Sequence, residues 1–238
     1  MPAGVGESQL PSRRYWNLRE GVSGRHSMQS GLFIVLEGID GSGTTTQSRL
    51  LAEWLRSLGH EVVLTAEPTR RPIGALIRQI LQGRLTDDRG QPLQADETTM
   101  AFLFAADRSD HMASIVLPAL AAGRIVVSDR HYLSSVAYQS LGVEMAWVEA
   151  LNARFRRPDL TVFLDIEPAG GLARKQRQGN AAERYEQAAT LERVRANYLA
   201  AIAHAHGAGE RVECLDAARP IEAIQAALRG LLAPLLLG

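Results

Sequence analysis

Glycines and threonines between residues 38 and 45 have the types and the spacing of an anion-binding turn. Gly38, Gly43 and Thr45 match the phosphate-binding pattern G-x-x-x-x-G-K-[ST], but Thr44 stands where that pattern has lysine. Glycines allow backbone N–H groups to converge on an anion, and the first turn of a following helix adds free donors. The stretch predicts a phosphate site, with an ordinary tight connection as the alternative.

Charged residues also follow the second and third apolar runs of the chain. The stretch from Glu67 to Pro72, EPTRRP, is stiff and basic and includes Arg70, although a solvated turn has the same composition. Asp129 and Arg130 follow the third run as either a structural ion pair or a phosphate-binding fork. These residues extend the predicted anion site beyond the glycine turn.

A ring and a guanidinium are predicted to share one helix face. Phe104 and Arg108 are four residues apart, so both can contact one planar ligand, although phenylalanines more often belong to the core. Further along, residues 171–186 carry a basic run that includes Arg174 and Arg177. This run is either a solvated helical face or a lid that brings cations to a transferred phosphoryl group.

The elements that position these residues alternate in type, which predicts a parallel sheet with helices on both faces. The β-type runs are residues 32–36, 61–65, 125–128, 160–166 and 211–215. The helical patterns are residues 44–58, 73–82, 96–122, 134–138, 145–155, 170–177, 182–206 and 221–237. Ligands of such sheets bind beyond the carboxyl ends of the strands, where the residues above lie.

Composition restricts the partners and the compartment. Lys plus Arg and Asp plus Glu are 26 each, so the net charge of zero gives no support to nucleic-acid or anionic-membrane binding. The single cysteine, Cys214, forms no internal disulfide, which predicts a cytoplasmic location. No apolar run reaches the length of a membrane span. Residues 1–27 are predicted to be a flexible tail and residues 28–238 one domain, with Met28 as an alternative start.

Taken together, these segments resemble the thymidylate kinase family, which phosphorylates dTMP to dTDP. The resemblance spans residues 31–228 and lies in the stretches LEGIDGSG, EPT, IGALIR, FAADR, SDRHYLSSVAYQ, LDIEP, GLAR, ERYE and RVRANYL. It implies a P-loop NTPase-type three-layer fold with a five-stranded parallel sheet. It also implies ATP as phosphoryl donor, Mg²⁺ as cofactor and a homodimer.

The resemblance assigns roles to individual positions. ATP phosphates would contact the loop Gly38, Ile39, Asp40, Gly41, Ser42, Gly43, Thr44 and Thr45, with Thr45 on Mg²⁺. The acceptor dTMP would contact Glu67, Arg70, Phe104, Arg108, Arg130, Ser135 and Tyr138. The catalytic groups would be Asp40, Arg130, Arg174 and Arg177.

Within that assignment, Arg70 and Arg130 would hold the acceptor phosphate and Phe104 would stack on thymine. Arg108 would bond the exocyclic oxygen of the base, and Tyr138 would crowd the sugar 2′ position. Gly41 after Asp40 implies a subtype that takes its catalytic cation from the lid, residues 171–186.

Two rival hypotheses remain open, and Thr44 is the ground for the first. Because the missing lysine would span the β- and γ-phosphates, the chain is alternatively a nucleotide-binding protein with impaired phosphoryl transfer. A kinase of another nucleotide is the second rival.

Overall fold

The structure is a computed structural model that describes residues 31–177 and 187–236. The predicted tail, residues 1–27, and residues 178–186 of the predicted lid lie outside the described residues. Five strands form one parallel sheet in the order β2-β3-β1-β4-β5. The strands are β1 Phe33–Glu37, β2 Val62–Ala66, β3 Ile125–Asp129, β4 Leu160–Asp165 and β5 Val212–Asp216. All five predicted strands are confirmed, each within one residue of its predicted start.

Helices connect successive strands, as parallel pairing requires. They are α1 Thr44–Ser57, α2 Pro72–Leu81, α3 Glu97–His111, α4 Leu117–Ala121, α5 Tyr132–Gln139, α6 Met145–Asn152, α7 Pro168–Arg177, α8 Ala188–Gly207 and α9 Ile221–Leu236. A single helix was expected at residues 96–122, but a π-helical turn at Met112–Val116 separates α3 from α4. In the described residues, no helix is long and apolar enough to cross a membrane.

Strand β1 lies at the centre of the sheet and is buried along its whole length. Its side chains alternate between two cores: Ile34 and Leu36 pack with α1, α5, α8 and α9, whereas Phe33 and Val35 pack with the π-helical turn and α4. Helices therefore cover both faces of the sheet, which confirms the three-layer architecture. The arrangement directs the carboxyl end of β1 toward the glycine turn.

Candidate active site

The turn between β1 and α1 leaves backbone donors free at a helix N-terminus. Gly43 precedes α1 in the left-handed conformation, with φ of 96°, and no side chain caps the helix. Gly41 also has a positive φ of 83°, and a Cβ there would lie 2.2 Å from the carbonyl oxygen of Gly171 in α7. The turn therefore requires glycine at both positions, and its first-turn N–H groups remain available to an anion.

Thr45 and Asp129 meet at the base of this turn although they are 84 positions apart. The Thr45 hydroxyl donates to Asp129 Oδ2 at 2.5 Å. Asp129 Oδ1 is buried and has no hydrogen-bond partner among the described residues. A hydroxyl beside a carboxylate with an unused oxygen matches the oxygen ligands that hold Mg²⁺ in P-loop proteins. The sequence pattern does not single out Asp129 as a ligand, although an acidic residue that ends a buried strand is a usable signal.

Thr44 is the first residue of α1, and its side chain is nearly buried. It faces a cavity of about 330 Å³ that we call the acceptor cavity. The cavity also receives the guanidinium-bearing residues Arg78 and Arg130, so cations lie on the side where the lysine is missing. Arg78 donates to the carbonyl oxygen of Pro68, which anchors it to the β2–α2 loop. Nothing in the sequence indicates that Arg78 lines this cavity.

The acceptor cavity brings together many of the predicted site residues. Its lining includes Asp40, Gly41, Gly43, Thr44, Thr45, Glu67, Phe104, Arg108, Arg130 and Tyr138. Arg70 is exposed and is not part of this lining, so the structure does not bring it to the cavity with Arg130. Ser135 is buried behind the wall and likewise does not line the cavity.

Arg130 is held from several directions beside the turn. Its Nη2 donates to Asp40 Oδ1 at 2.6 Å, and its Nη1 donates to Ser134 Oγ and to the Tyr198 hydroxyl, each at 3.3 Å. Arg130 has a φ of 73°, the only positive φ of a described residue other than glycine. Because that conformation is unfavourable for a residue with a side chain, the surrounding contacts must maintain it. The guanidinium is therefore preorganised at the mouth of the phosphate turn.

Asp40 and Tyr138 form the wall next to Arg130. The Tyr138 hydroxyl donates to Asp40 Oδ1 at 3.1 Å, and the Arg130 guanidinium lies 5.4 Å from the centre of the Tyr138 ring. Burial and the Asp40 carboxylate raise the pKa of Tyr138, so the phenol stays neutral. Tyr138, the predicted sugar-contacting residue, thus lies beside the predicted catalytic residue Asp40 and is hydrogen-bonded to it.

A buried ion pair forms the opposite end of the cavity. Glu67 Oε2 accepts from Arg108 Nε at 2.9 Å, and both side chains are almost completely buried. Glu67 Oε1 lies 2.9 Å from His111 Nδ1 and 3.0 Å from His131 Nδ1. Burial alone would raise the pKa of Glu67, but Arg108, His131 and His111 hold it well below its usual range. Glu67 therefore acts as the charged centre that orders the arginine and both imidazoles.

Arg108 makes hydrogen bonds that use most of its donors. Besides Glu67, it donates to Asn152 Oδ1, to the carbonyl oxygen of His131 at 3.0 Å and to Ser135 Oγ at 3.0 Å. Ser135 thus contacts the predicted base-reading arginine rather than the cavity. A guanidinium has five N–H groups, so one on Nη1 is left over from these four bonds. These bonds fix the orientation of the guanidinium beside the acceptor cavity.

Gln139 is a site residue that reasoning from the sequence missed. Its side chain is fully buried and lines the acceptor cavity. Neither its Nε2 nor its Oε1 has a hydrogen-bond partner among the described residues. Because burying an unpaired carboxamide is costly, the pair of free groups indicates a ligand with both a donor and an acceptor. The adjacent Tyr138 in the stretch AYQ was the available signal.

A second cavity, the donor cavity, lies on the other side of the same turn. Its volume is about 520 Å³, and it is lined by Gly41, Ser42, Gly43, Thr46, Gln47, Arg174, Ala218, Arg219, Pro220, Ile221 and Ile224. Arg174 donates to the carbonyl oxygen of Ala218 at 3.3 Å, which places this predicted catalytic residue on the donor side. Arg177 ends α7, but its side chain lies outside the described residues, so its predicted role stays a prediction.

Comparison with known proteins shows the family to which the chain belongs. The family model described as Thymidylate kinase matches residues 36–228. A probable thymidylate kinase of Pyrococcus horikoshii is 45% identical over 172 residues, which are 71% of this chain and 82% of that protein. The thymidylate kinase of Ruegeria pomeroyi is 40% identical over 204 residues, covering 83% of this chain and 92% of the relative. The thymidylate kinase of Leifsonia xyli subsp. xyli is 42% identical over 209 residues, covering 84% and 93% respectively. With most of its length matched by the family model, the chain belongs to the thymidylate kinase family.

Proposed function

We propose that this protein transfers the γ-phosphoryl group of ATP to dTMP and so forms dTDP. The observation that carries the proposal is that the two cavities lie on opposite sides of one glycine turn and share it as a common wall. Gly41 and Gly43 line both cavities, so a donor and an acceptor phosphate can approach each other there. Membership of the thymidylate kinase family supports this reaction and does not favour a protein without phosphoryl transfer.

The groups at the base end of the acceptor cavity suit thymine. The Gln139 carboxamide can accept from thymine N3–H and donate to O4, and Arg108 supplies only donors. A pyrimidine with an amino group at position 4, such as cytosine, has a donor where thymine has the acceptor O4. Its amino group would face the donors of Arg108, and no hydrogen bond would form between them. Phe104 lines the cavity and offers a ring for stacking on the base.

The sugar and phosphate ends suit a deoxynucleotide. Tyr138 and Asp40 lie side by side in the cavity wall next to Arg130. The rigid Tyr138 ring would leave less space in the cavity for a 2′-hydroxyl on the sugar. Arg130 would bind the acceptor phosphate through its guanidinium fork and hold an oxygen in line with the γ-phosphorus. In that geometry, alignment and charge neutralisation supply the catalysis.

Mg²⁺ fits the pair formed by Thr45 and Asp129. When bound there, the ion would neutralise charge on the donor phosphates. The turn N–H groups would hold the phosphates, while Arg174 and Arg177 would supply cations from the α7 side. These assignments replace the charge of the absent lysine with groups from other elements.

The assembly and compartment are proposed more broadly. A homodimer follows from the resemblance, and a cytoplasmic location follows from the single cysteine, Cys214. Zero net charge underlies the expectation that neither nucleic acid nor a membrane is a partner. Sedimentation of the purified chain would distinguish a dimer from a monomer.

A panel of acceptors tests the proposed substrate. ADP release is measured with ATP, Mg²⁺ and dTMP, dUMP, dCMP or ribosyl-TMP in turn. We expect the highest kcat/KM with dTMP, a lower value with ribosyl-TMP and the lowest with dCMP. A higher kcat/KM for dCMP than for dTMP would refute the assignment of the base end. A Gln139→Leu variant should reduce the preference for dTMP over dCMP. Leucine is similar in size to glutamine but lacks both of its polar groups.

A further inference from the structure

Glu37 ends the central strand as a completely buried carboxylate. Its Oε1 accepts from the backbone N–H groups of His131, at 2.9 Å, and Ser134, at 3.3 Å. Its Oε2 accepts from Ser134 Oγ at 2.6 Å and from the Tyr198 hydroxyl at 3.0 Å. This one side chain therefore connects β1 to the start of α5 and to α8.

The same two hydroxyls face Arg130. Arg130 Nη1 donates to Ser134 Oγ and to Tyr198, each at 3.3 Å, and the two hydroxyl oxygens lie 2.7 Å apart. A hydroxyl has one proton and two lone pairs. The Ser134 hydroxyl donates to Glu37 Oε2, and the Tyr198 hydroxyl donates either to the same carboxylate oxygen or to Ser134 Oγ. In both arrangements each hydroxyl oxygen keeps a lone pair for the guanidinium, and the carboxylate sets the direction of the Ser134 bond.

We propose that Glu37 is a positioning residue, which acts through the Ser134 and Tyr198 hydroxyls to hold Arg130 in the orientation that binds the acceptor phosphate. This inference rests on the proposed function, in which Arg130 contacts that phosphate. Glu37 itself lies behind the cavity wall and does not touch the acceptor. The residue was not singled out from the sequence, where a glutamate follows the apolar run LFIVL.

The backbone of the Arg130 segment depends on the same carboxylate. Arg130 has the positive φ of 73°, and the next N–H, that of His131, donates to Glu37. Arg130 N–H donates to the carbonyl oxygen of Leu36 at 2.8 Å, and Ser128 Oγ donates to the Arg130 carbonyl oxygen at 2.8 Å. An unfavourable backbone conformation persists where such contacts determine it. Glu37 thus supports both the backbone and the guanidinium of Arg130.

The charge of Glu37 decides the direction of the hydroxyl bonds. Burial raises the pKa of Glu37 to about 7, while Ser134 and Arg130 oppose that rise. A protonated Oε2 would donate to one hydroxyl, whose own proton would then turn away from Glu37. That proton would point toward Arg130 Nη1, which is also a donor, and would weaken the bond between them. The side-chain amide of a Glu37→Gln variant would do the same at every pH. Ionised Glu37 is therefore the form that supports Arg130.

Other titratable groups around Glu37 keep their protonation state near neutral pH. The phenols of Tyr198 on α8 and Tyr132 on α5 have a raised pKa because of burial and remain neutral. The Arg130 guanidinium stays charged. His131 offers its backbone N–H to Glu37, whereas its ring bonds Glu67. Burial lowers the pKa of that ring, so the imidazole stays neutral. A change in dTMP affinity between pH 6 and pH 8 that depends on Glu37 would then report its own ionisation.

The test is the equilibrium affinity of Glu37→Gln for dTMP and for thymidine at pH 6 and pH 8. Wild-type Glu37 is mostly neutral at the lower pH, so the variant should bind dTMP within about twofold of wild type there. At the higher pH the variant should bind dTMP about tenfold more weakly, the loss expected for one charge-assisted bond. Thymidine has no phosphate, so its affinity should not change. The ratio of variant to wild type also cancels the ionisation of dTMP itself.

Asp159→Asn is the matched control. Asp159 Oδ2 accepts from the Phe33 backbone N–H at 2.7 Å, so this carboxylate supports the opposite end of the same strand. The dTMP affinity of Asp159→Asn should equal that of wild type at both pH values. Tyr198→Phe is the second variant: it retains Glu37 and the ring, removes one hydroxyl, and should weaken dTMP at pH 8 by about threefold. It carries the test if Glu37→Gln does not fold, as judged by circular dichroism.

Several outcomes would overturn the inference. A Glu37→Gln to wild-type affinity ratio that is the same at both pH values would refute it, as would an equal loss of thymidine affinity. If Glu37→Gln does not fold, an unchanged dTMP affinity of Tyr198→Phe would refute it. By contrast, a wild-type protein that fails to bind or phosphorylate dTMP would refute the proposed function, and with it this inference.

Discussion

The acceptor and donor cavities share one turn but differ in how their charged groups are held. In the acceptor cavity, Arg108 is fully buried and makes four hydrogen bonds, and Arg130 donates hydrogen bonds to three different side chains. In the donor cavity, Arg174 is half-buried and donates to a backbone carbonyl at 3.3 Å. The lysine expected on the phosphate turn is replaced by Thr44.

Under the proposed function, this difference means that the two substrates would be recognised by different means. Acceptor specificity would reside in side chains that are fixed before binding, which favours discrimination between nucleotides. Donor binding would rely on backbone N–H groups, which read phosphate without reading a base. We therefore expect substitutions on the acceptor side to change specificity, and substitutions on the donor side to change turnover.

Arg130→Ala should have the largest effect. It removes the guanidinium that would bind the acceptor phosphate, so kcat/KM for dTMP should fall about a thousandfold, as for other preorganised phosphate-binding groups. Steady-state kinetics measure it. Arg71→Ala is the matched control, because Arg71 pairs with Asp110 at an exposed site outside both cavities. Equal losses in the two variants would remove Arg130 from the site.

Arg174→Ala tests the donor side. We expect kcat to fall about a hundredfold while ATP affinity changes little, because this cation would act mainly on charge that develops in the transition state. The measurement is kcat beside an ATP dissociation constant. Arg193→Ala serves as the control, since Arg193 also donates to a backbone carbonyl, that of Leu141, but lies outside both cavities. A parallel loss of ATP affinity and kcat would contradict the assignment.

Arg108→Ala should affect both stability and specificity. It leaves the buried Glu67 carboxylate without its cation, so the free energy of unfolding should fall by about 3 kcal/mol. KM for dTMP should rise while KM for ATP stays nearly unchanged. Denaturant unfolding and steady-state kinetics measure these. Arg49→Ala, at an exposed ion pair with Glu53, should change stability by less than about 0.5 kcal/mol. If both KM values rose equally, the arginine would be purely structural.

Tyr138→Ala should narrow the preference for dTMP over ribosyl-TMP by about tenfold, because a missing ring leaves space for the 2′-hydroxyl. The ratio of the two kcat/KM values measures this. Tyr138→Phe keeps the ring and removes only the hydrogen bond to Asp40, so its ratio should stay near that of wild type. An unchanged ratio in the alanine variant would exclude Tyr138 from sugar discrimination.

Thr44→Lys should have the smallest effect. If cations from other elements already neutralise the donor phosphates, kcat should change by less than about threefold. An impaired site would instead gain about a hundredfold in kcat, corresponding to one preorganised donor of roughly 3 kcal/mol. Such a rescue would show that the wild-type donor side is incomplete.

The sequence predicts the fold well because its evidence is local. Alternating apolar runs and helical periods locate all five strands, and the glycine pattern locates the turn between β1 and α1. The π-helical turn at Met112–Val116 was not predicted, since a single turn inside a longer helix spans too few residues to show a period of its own.

The roles that were not predicted are those visible only through contacts between distant parts of the chain. Asp129 becomes a candidate metal ligand only beside Thr45, and Glu37 gains its role only from Tyr198 on α8. Gln139 is recognisable because both of its polar atoms are buried without a partner among the described residues, which no sequence pattern shows. Arg70 illustrates the opposite case, since a suitable residue type in a suitable loop lies outside the acceptor cavity.

The most direct test follows the phosphoryl group itself. The purified wild-type chain is incubated with Mg²⁺, dTMP and ATP that carries a radioactive γ-phosphate, and the labelled products are separated. We expect the label to appear in dTDP, at a rate that depends on dTMP and is lost in Arg130→Ala. Label that remains in ATP would contradict the proposed transfer and would indicate a nucleotide-binding protein. Label that appears only as inorganic phosphate would also contradict it, because the phosphoryl group would then have gone to water and not to dTMP.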